Sequence, residues 1–275
     1  VALSGYFGAE AGSSLELNGT ISHNDVQLWK VGEGTARFSG WQNNIGNTGS
    51  TVNVNAGTLE LNKTPGFNAV PYNVVVGDDA GGDDADRLVY VQSNQLPEVL
   101  LIIYPSGLVD LNGQEADWSP TTAGGVQNLR LYIGPTAAGD IDLNGGTLTY
   151  TSRNNVGADF GVVMRNGGGP VGSRIYDSGA TPGTLALRST GTITTMLGTR
   201  FYVENSPALE DFEISAVISD GGTGTRIAKD QSASSTNIHS RLLFSGANTF
   251  TGAVTVNAGE LAVGHPSALG DSGTG

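Results

Sequence analysis

The chain has no cysteine. Disulfides, thiolate metal sites and cysteine nucleophiles are therefore excluded, and the fold must rest on packing and backbone hydrogen bonds. Lysine is nearly as scarce: Lys30, Lys63 and Lys229 are the only three in 275 residues. Charged residues make up 14%, with a formal net charge of −13. Such a surface repels phosphate backbones, which argues against nucleic acid as a partner. It fits an extracellular protein. Long apolar runs are missing too. The longest, VLLIIY at 99–104, is far shorter than the ~20 residues that span a bilayer as a helix, so no transmembrane segment is expected in this chain. The chain begins with Val, carries no signal peptide and stops mid-phrase at GDSGTG. A mature segment of a longer polypeptide is expected, with any leader or anchor outside it.

Helical periodicity is also largely absent, and short alternating runs take its place. They are SLELNG (14–19), STVNVNAGTLELN (50–62), LVDLNG (108–113), DIDLNGGTLTYT (140–151), GTLALRSTGTITT (183–195) and GAVTVNAGELAVG (252–264). Each puts Val, Leu or Ile at every second position, the pattern of a strand with one buried and one wet face. Glycine is plentiful, 42 residues, and with Asn it punctuates the runs as turns require. A smaller phrase, apolar–any–apolar–Asn, recurs at Leu15–Asn18, Leu59–Asn62, Val109–Asn112 and Ile141–Asn144. Its spacings are 44, 50 and 32 residues, which suits a coil of variable rungs turning at similar corners. Asn tolerates the left-handed backbone region there and Gly accepts it freely.

A sandwich of this length would divide into linked domains, yet no linker is evident and the corner phrase recurs past any sandwich boundary. The predicted fold is all-β, a right-handed parallel β-helix (β-solenoid) with irregular loops, one continuous unit over residues 1–275. At roughly 20–25 residues per rung it makes about eleven to fourteen rungs, a rod of about 55–65 Å at about 4.8 Å per step. Short helical turns are allowed only around SALGDS (267–272) and NQLPEVL (94–100).

Two longer phrases align with each other. WKVGEGTARFSG (29–40) is followed by NTGSTVNVNAGTLELNK (47–63), and Lys229 precedes RLLFSGANTFTGAVTVNAGELAVG (241–264). The pattern resembles the autotransporter-associated β-strand repeat, also called the passenger-associated transport repeat. Matching positions are Ser245, Gly246, Asn248, Thr249, Phe250, Thr251, Gly252, Val256, Asn257, Gly259 and Leu261 in one copy. In the other they are Ser39, Gly40, Thr48, Gly49, Val54, Asn55, Gly57 and Leu59. The first copy is longer between its glycines, 17 residues from Gly40 to Gly57 against 13 from Gly246 to Gly259. The second carries an insertion between Lys229 and Leu242. Residues 74–96 resemble the segment that follows such repeats. The resemblance implies a right-handed parallel β-helix in large secreted or surface proteins of bacteria, with no catalytic residues. In the phrase itself, Val52, Val54, Leu59 and Leu61 are expected to point inward, with Gly57 at the bend.

The sharpest candidate site is GDDAGGDDADR (77–87). Asp78, Asp79, Asp83, Asp84 and Asp86 sit in a Gly-rich loop able to offer oxygens to a hard cation such as calcium; the competing expectation is a solvated acidic turn. DIDLNG (140–145) mimics the start of an EF-hand loop, but its twelfth position is Thr151 rather than Glu. Paired carboxylates for glycan hydrolysis can be nominated from Asp110, Glu115 and Asp117, or from Asp140 and Asp142; the competing expectation is solvent-facing strand positions. His23, His239 and His265 are scattered. Trp41 and Trp118 lie in loop-like stretches and suit either stacking on a sugar ring or packing onto the coil.

These features predict a non-catalytic structural or adhesive segment of a large exported surface protein, a rigid stalk or passenger. Its contacts would be with surface glycans or neighbouring copies. A subunit of a self-assembling extracellular filament or surface layer is one alternative, and a carbohydrate-active β-helix enzyme is another.

Overall fold

The computed structural model describes residues 3–47, 49–97, 100–118, 129–153, 161–190, 199–221, 225–231 and 239–271. Within them the alternating runs become strands, because an in–out pattern buries one face and hydrates the other. The strands follow one another in rungs. The first four rungs hold two strands each: β1 (Leu3–Gly8) and β2 (Ser14–Asn18), β3 (Val26–Val31) and β4 (Thr35–Gly40), β5 (Thr51–Val54) and β6 (Gly57–Lys63), then β7 (Asn73–Val76) and β8 (Asp86–Tyr90). Rungs five to eight hold three. These are β9 (Leu101–Ile103), β10 (Gly107–Asp110) and β11 (Glu115–Trp118), followed by β12 (Leu129–Ile133), β13 (Asp140–Asp142) and β14 (Thr147–Arg153). Next come β15 (Val162–Asn166), β16 (Ser173–Tyr176) and β17 (Thr184–Thr190), and β18 (Thr199–Val203), β19 (Phe212–Ile214) and β20 (Val217–Asp220). The last two rungs return to pairs, β21 (Ile227–Asp230) with β22 (Arg241–Phe244) and β23 (Val254–Val256) with β24 (Glu260–Val263).

Like strands stack on like. One ten-stranded sheet runs from β1 to β23, a second from β2 to β24, and a four-stranded sheet joins β11, β14, β17 and β20. Every strand pairing is parallel, as a β-solenoid requires. Among the described residues there is no helix: 266–269 form a turn, and 94–97 are irregular. The described residues make ten rungs, below the expected eleven to fourteen, because the middle rungs are longer. Thr51 pairs with Asn73, a step of 22 residues, whereas Val162 pairs with Phe201, a step of 39. Nine steps of about 4.8 Å give roughly 43 Å along the axis.

The core is a set of columns running through the rungs. In the second sheet Ala36, Leu59, Leu88, Val109, Ile141, Ile175, Ile214 and Phe244 are successive register partners, and each is fully buried. Burying each larger side chain contributes about 1.5–3 kcal/mol. A slip of one residue would turn the whole column into water, which fixes the register. Val52, Val54, Leu59 and Leu61 all point inward as expected, and Gly57 makes the bend at φ +60°. The Asn corners divide into two kinds. Asn112 and Asn144 take left-handed backbone (φ 48° and 44°), while Asn18 and Asn62 remain within strands.

Candidate functional site

All three lysines lie inside the coil with no exposed surface. Each occupies an inward position of its strand, in phase with Leu28, Leu61 or Ile227. The ammonium groups are held by acceptors at the corners. Lys30 Nζ donates to Gly32 O (2.6 Å) and Ala56 O (2.5 Å). Lys229 Nζ donates to Ala258 O (2.9 Å), Ser240 Oγ (2.7 Å) and Asp230 O (3.1 Å). Lys63 Nζ donates to Ser39 O (2.6 Å) and to Gly19 O. Burial pulls all three amines below their usual range, Lys229 to about 8.

These bonds explain why the long phrase occurs twice. Ala56 and Ala258 are the alanines of its Asn-Ala-Gly corner, and each carbonyl accepts from the lysine one rung earlier. Other positions correspond in the same way. Asn55 and Asn257 donate backbone N–H groups to Lys30 O and Lys229 O. Ser39 donates to Glu16 Oε1 (2.6 Å) and Ser245 to Glu213 Oε1 (2.5 Å). The buried amides of Asn44 and Asn248 each bridge three rungs, accepting from Ile21 N or Ile218 N and donating to Ala69 O or Ala268 O. Asn44 is therefore the counterpart of Asn248, a match that the lengthened first copy hides in the sequence. Thr48, aligned above, lies outside the described residues.

The five aspartates of the 77–87 loop do not converge. Asp86 is buried on β8 and accepts from Ser106 Oγ (2.5 Å); burial lifts its carboxyl to about 6. Asp78 and Asp79 are exposed, their backbone N–H groups donating to Ser106 Oγ (3.0 Å each). Asp83 and Asp84 form a group with Asp140 from the other nominated stretch, with one oxygen from each within 4.8 Å. A positive charge already stands there. Arg174 Nε donates to Asp140 Oδ2 (2.8 Å) and its backbone N to Oδ1 (2.7 Å). Burial still pushes Asp140 up to about 7 against the pull of that guanidinium, and it raises Asp84 as well.

The nominated catalytic carboxylates are spread over several roles. Asp110 and Asp142 are register partners that shape corners: Asp110 Oδ1 accepts from Asn112 N (2.8 Å) and Asn144 Nδ2 (3.1 Å), and Asp142 Oδ1 accepts from Asn144 N (2.9 Å). The EF-hand-like stretch is thus a stacked turn. Glu115 and Asp117 face outward on β11, and Asp117 lies 3.6 Å from Arg188. His23 is buried, with Nδ1 3.3 Å from Val26 O; His239 is exposed, and His265 accepts from Ser267 N. Trp118 belongs to the core, donating from Nε1 to Tyr90 Oη (3.2 Å). Trp41 is 69% exposed.

An aromatic groove of about 490 Å³ lies on the outside of the first sheet, and no local motif announced it. Its walls include Trp29 on rung two, Asn53 and Asn55 on rung three, Val75 and Asp78 on rung four, and Tyr104 and Tyr132 on rungs five and six. Tyr104 and Tyr132 stand side by side because Ile103 pairs with Leu131. Their rings are 4.8 Å apart at 31°. Tyr6 stacks on Trp29 at 6.4 Å and 22°.

No protein-family model matches the chain. Neither the curated proteins nor the solved structures yield a match.

Proposed function

We propose that this chain is a non-catalytic, rod-forming segment of a large exported bacterial surface protein, serving as stalk or passenger and making adhesive contacts along its flanks. The observation that carries this reading is the unbroken axial stack: two sheets continue through all ten rungs over columns of fully buried side chains. Rungs that contact only their neighbours build length along a single axis, the mechanical requirement of a stalk. The winding is right-handed, as parallel strand crossovers are in about 98% of cases. The corner clamps support the same reading, since the lysine phrase serves stacking and places no reactive group at the surface.

Electron microscopy and small-angle scattering of the purified chain test the proposal. Isolated stiff rods are expected. Periodic polymers would favour the self-assembling filament instead. New reducing ends or unsaturated products from a polysaccharide panel, abolished by Asp110→Asn or Asp142→Asn, would overturn the non-catalytic reading. Protease accessibility of the parent protein on intact cells tests the location.

A further inference from the structure

We infer that the outer groove of the first sheet binds a neutral oligosaccharide, laid along the coil axis across rungs two to six. This gives the adhesive part of the proposed function a site and a ligand class. The groove volume of about 490 Å³ lies within the roughly 300–1,000 Å³ typical of small-ligand sites. Its aromatic surfaces are concentrated at two places, Trp29 at one end and the Tyr104–Tyr132 pair at the other. Trp29 and Tyr104 are three rung steps apart, about 14 Å at about 4.8 Å per step. Pyranose rings have apolar faces that pack on aromatic planes, and a linked chain of them advances by about one ring per rung. Between the aromatic ends lie Val75 as an apolar floor and Asn53, Asn55 and Asp78 as polar walls.

The polar groups select the ligand. Carboxylates only accept hydrogen bonds and amides both donate and accept, which suits a ligand rich in hydroxyls. Neither phenol hydroxyl of Tyr104 or Tyr132 has a hydrogen-bond partner among the described residues. Asp78 and Asp79 line the groove and are exposed, no Lys or Arg among the described residues lines it, and the chain carries −13 overall. Polyuronates and sulfated glycans are therefore repelled. A proline-rich peptide also favours aromatic grooves, but it needs a slot between rings. Tyr104 and Tyr132 pack against each other at 4.8 Å and 31°, which leaves no slot between these two rings.

An array of neutral oligosaccharides that includes cellotetraose, maltotetraose, laminaritetraose and mannotetraose, followed by titration calorimetry of the best binder, tests the site. Tetragalacturonate and decaproline serve as the anionic and peptide arms. Binding of at least one neutral glycan is expected, with no binding of the other two arms. The double variant Tyr104→Ala/Tyr132→Ala should weaken it at least tenfold while leaving the circular dichroism spectrum unchanged. If that variant misfolds, Asp78→Asn/Asp79→Asn decides. Both side chains are exposed, Asn tolerates the φ of 67° at position 79, and a several-fold loss is expected. No neutral glycan bound, binding unaffected by the folded variants, or decaproline bound in place of sugar would each overturn the inference. Any of these leaves the rod reading standing, because scattering reads shape without ligand.

Discussion

Replacing Gly259 by alanine separates the lysine corner from ordinary backbone strain. Gly259 has φ +74°, and an added Cβ would lie 2.3 Å from Ser240 O, 2.6 Å from Lys229 Nζ and 2.7 Å from Ser240 Oγ. Gly12 has nearly the same backbone, φ +75°, but a Cβ there meets nothing within 4 Å. Both glycines sit in outermost rungs, so position along the stack does not bias the comparison. Left-handed backbone costs an alanine about 1–2 kcal/mol at either site. At 259 the methyl also displaces the ammonium from acceptors at 2.7 and 2.9 Å. A hydrogen bond to a charged group is worth about 1.5–3 kcal/mol, so losing one brings the total to about 2.5–5 kcal/mol before the contact with Ser240 O is counted. Outer rungs of a solenoid open locally, so the assay is hydrogen exchange rather than global melting. The informative amides are Asn257 N–H, bonded to Lys229 O, and Glu260 N–H, bonded to Ser240 O. Each should exchange at least tenfold faster in Gly259→Ala than the amides around residue 12 do in Gly12→Ala, since about 1.4 kcal/mol is tenfold. In a Lys229→Met background the excess cost of Gly259→Ala should shrink by the lysine's share, the signature of direct coupling, and the remainder belongs to the contact with Ser240 O. An excess cost at 259 that Lys229→Met leaves unchanged would refute the claim that this glycine makes room for the lysine as well as for the Ser240 carbonyl.

Asn248→Ala removes a buried amide that serves Ile218 N and Ala268 O; two orphaned backbone groups at about 1–3 kcal/mol each should lower the urea midpoint, and Asn44→Ala should do the same in the first copy. Stability should fall between pH 4 and 7.5. Asp86 and Asp140 are raised from 3.8 to about 6 and about 7, so the folded chain holds protons that the unfolded chain has lost, and the stabilisation present below pH 3.8 disappears as pH rises through those values. The change at Asp86 corresponds to roughly 2–3 kcal/mol, and Asp86→Asn should flatten the profile; a midpoint that climbs steadily from pH 4 to 7.5 would contradict the assignment. Above pH 8 the sign reverses for Lys229, lowered to about 8, because the unfolded chain then binds the extra proton and stability recovers toward pH 10. Amine-reactive acylation followed by mass spectrometry should leave all three lysines unmodified in the native chain and label them after urea unfolding; rapid native labelling of Lys63 would show that it is not enclosed.

Local alternation placed β2, β5, β6, β10, β13, β14, β17, β23 and β24 at the runs singled out, because period two is a property of each run taken alone. It also held the positions of the lysines and of Trp118. Lys63 is in phase with Leu59 and Leu61, and Trp118 is in phase with Ala116 on β11. Reading charge as surface, and EADWSP as loop, overrode that phase. Other features depend on rung length, which loops set and alternation does not encode. The third sheet, the meeting of Asp84 with Asp140 and the groove joining Trp29 to Tyr104 all bring together residues separated by variable loops. The equivalence of Asn44 and Asn248 was hidden for the same reason.

The two cations are used on opposite sides of the wall, and their shapes account for it. Arginine stands outward on the strands and pairs with acids across rungs: Arg37 with Glu60 at 2.6 Å, Arg87 with Asp110 at 2.9 Å, and Arg200 with Asp230 at 3.1 Å. A planar fork suits a carboxylate on the neighbouring strand, and the guanidinium stays partly hydrated. Individually such exposed pairs contribute only about 0–1 kcal/mol. Lysine ends in a compact charge with three donors, which fits a corner where carbonyls from two turns of the coil converge and no carboxylate is required. A buried ammonium left without those acceptors would lose its proton or unfold the corner. The lysine therefore specifies a backbone turn that directs the alanine carbonyl inward, and the glycine after it leaves room for a carbonyl of the preceding rung, Gly34 O at 57 and Ser240 O at 259. That requirement accounts for the long phrase recurring nearly intact around Lys30 and Lys229, while the strands between keep only their alternation.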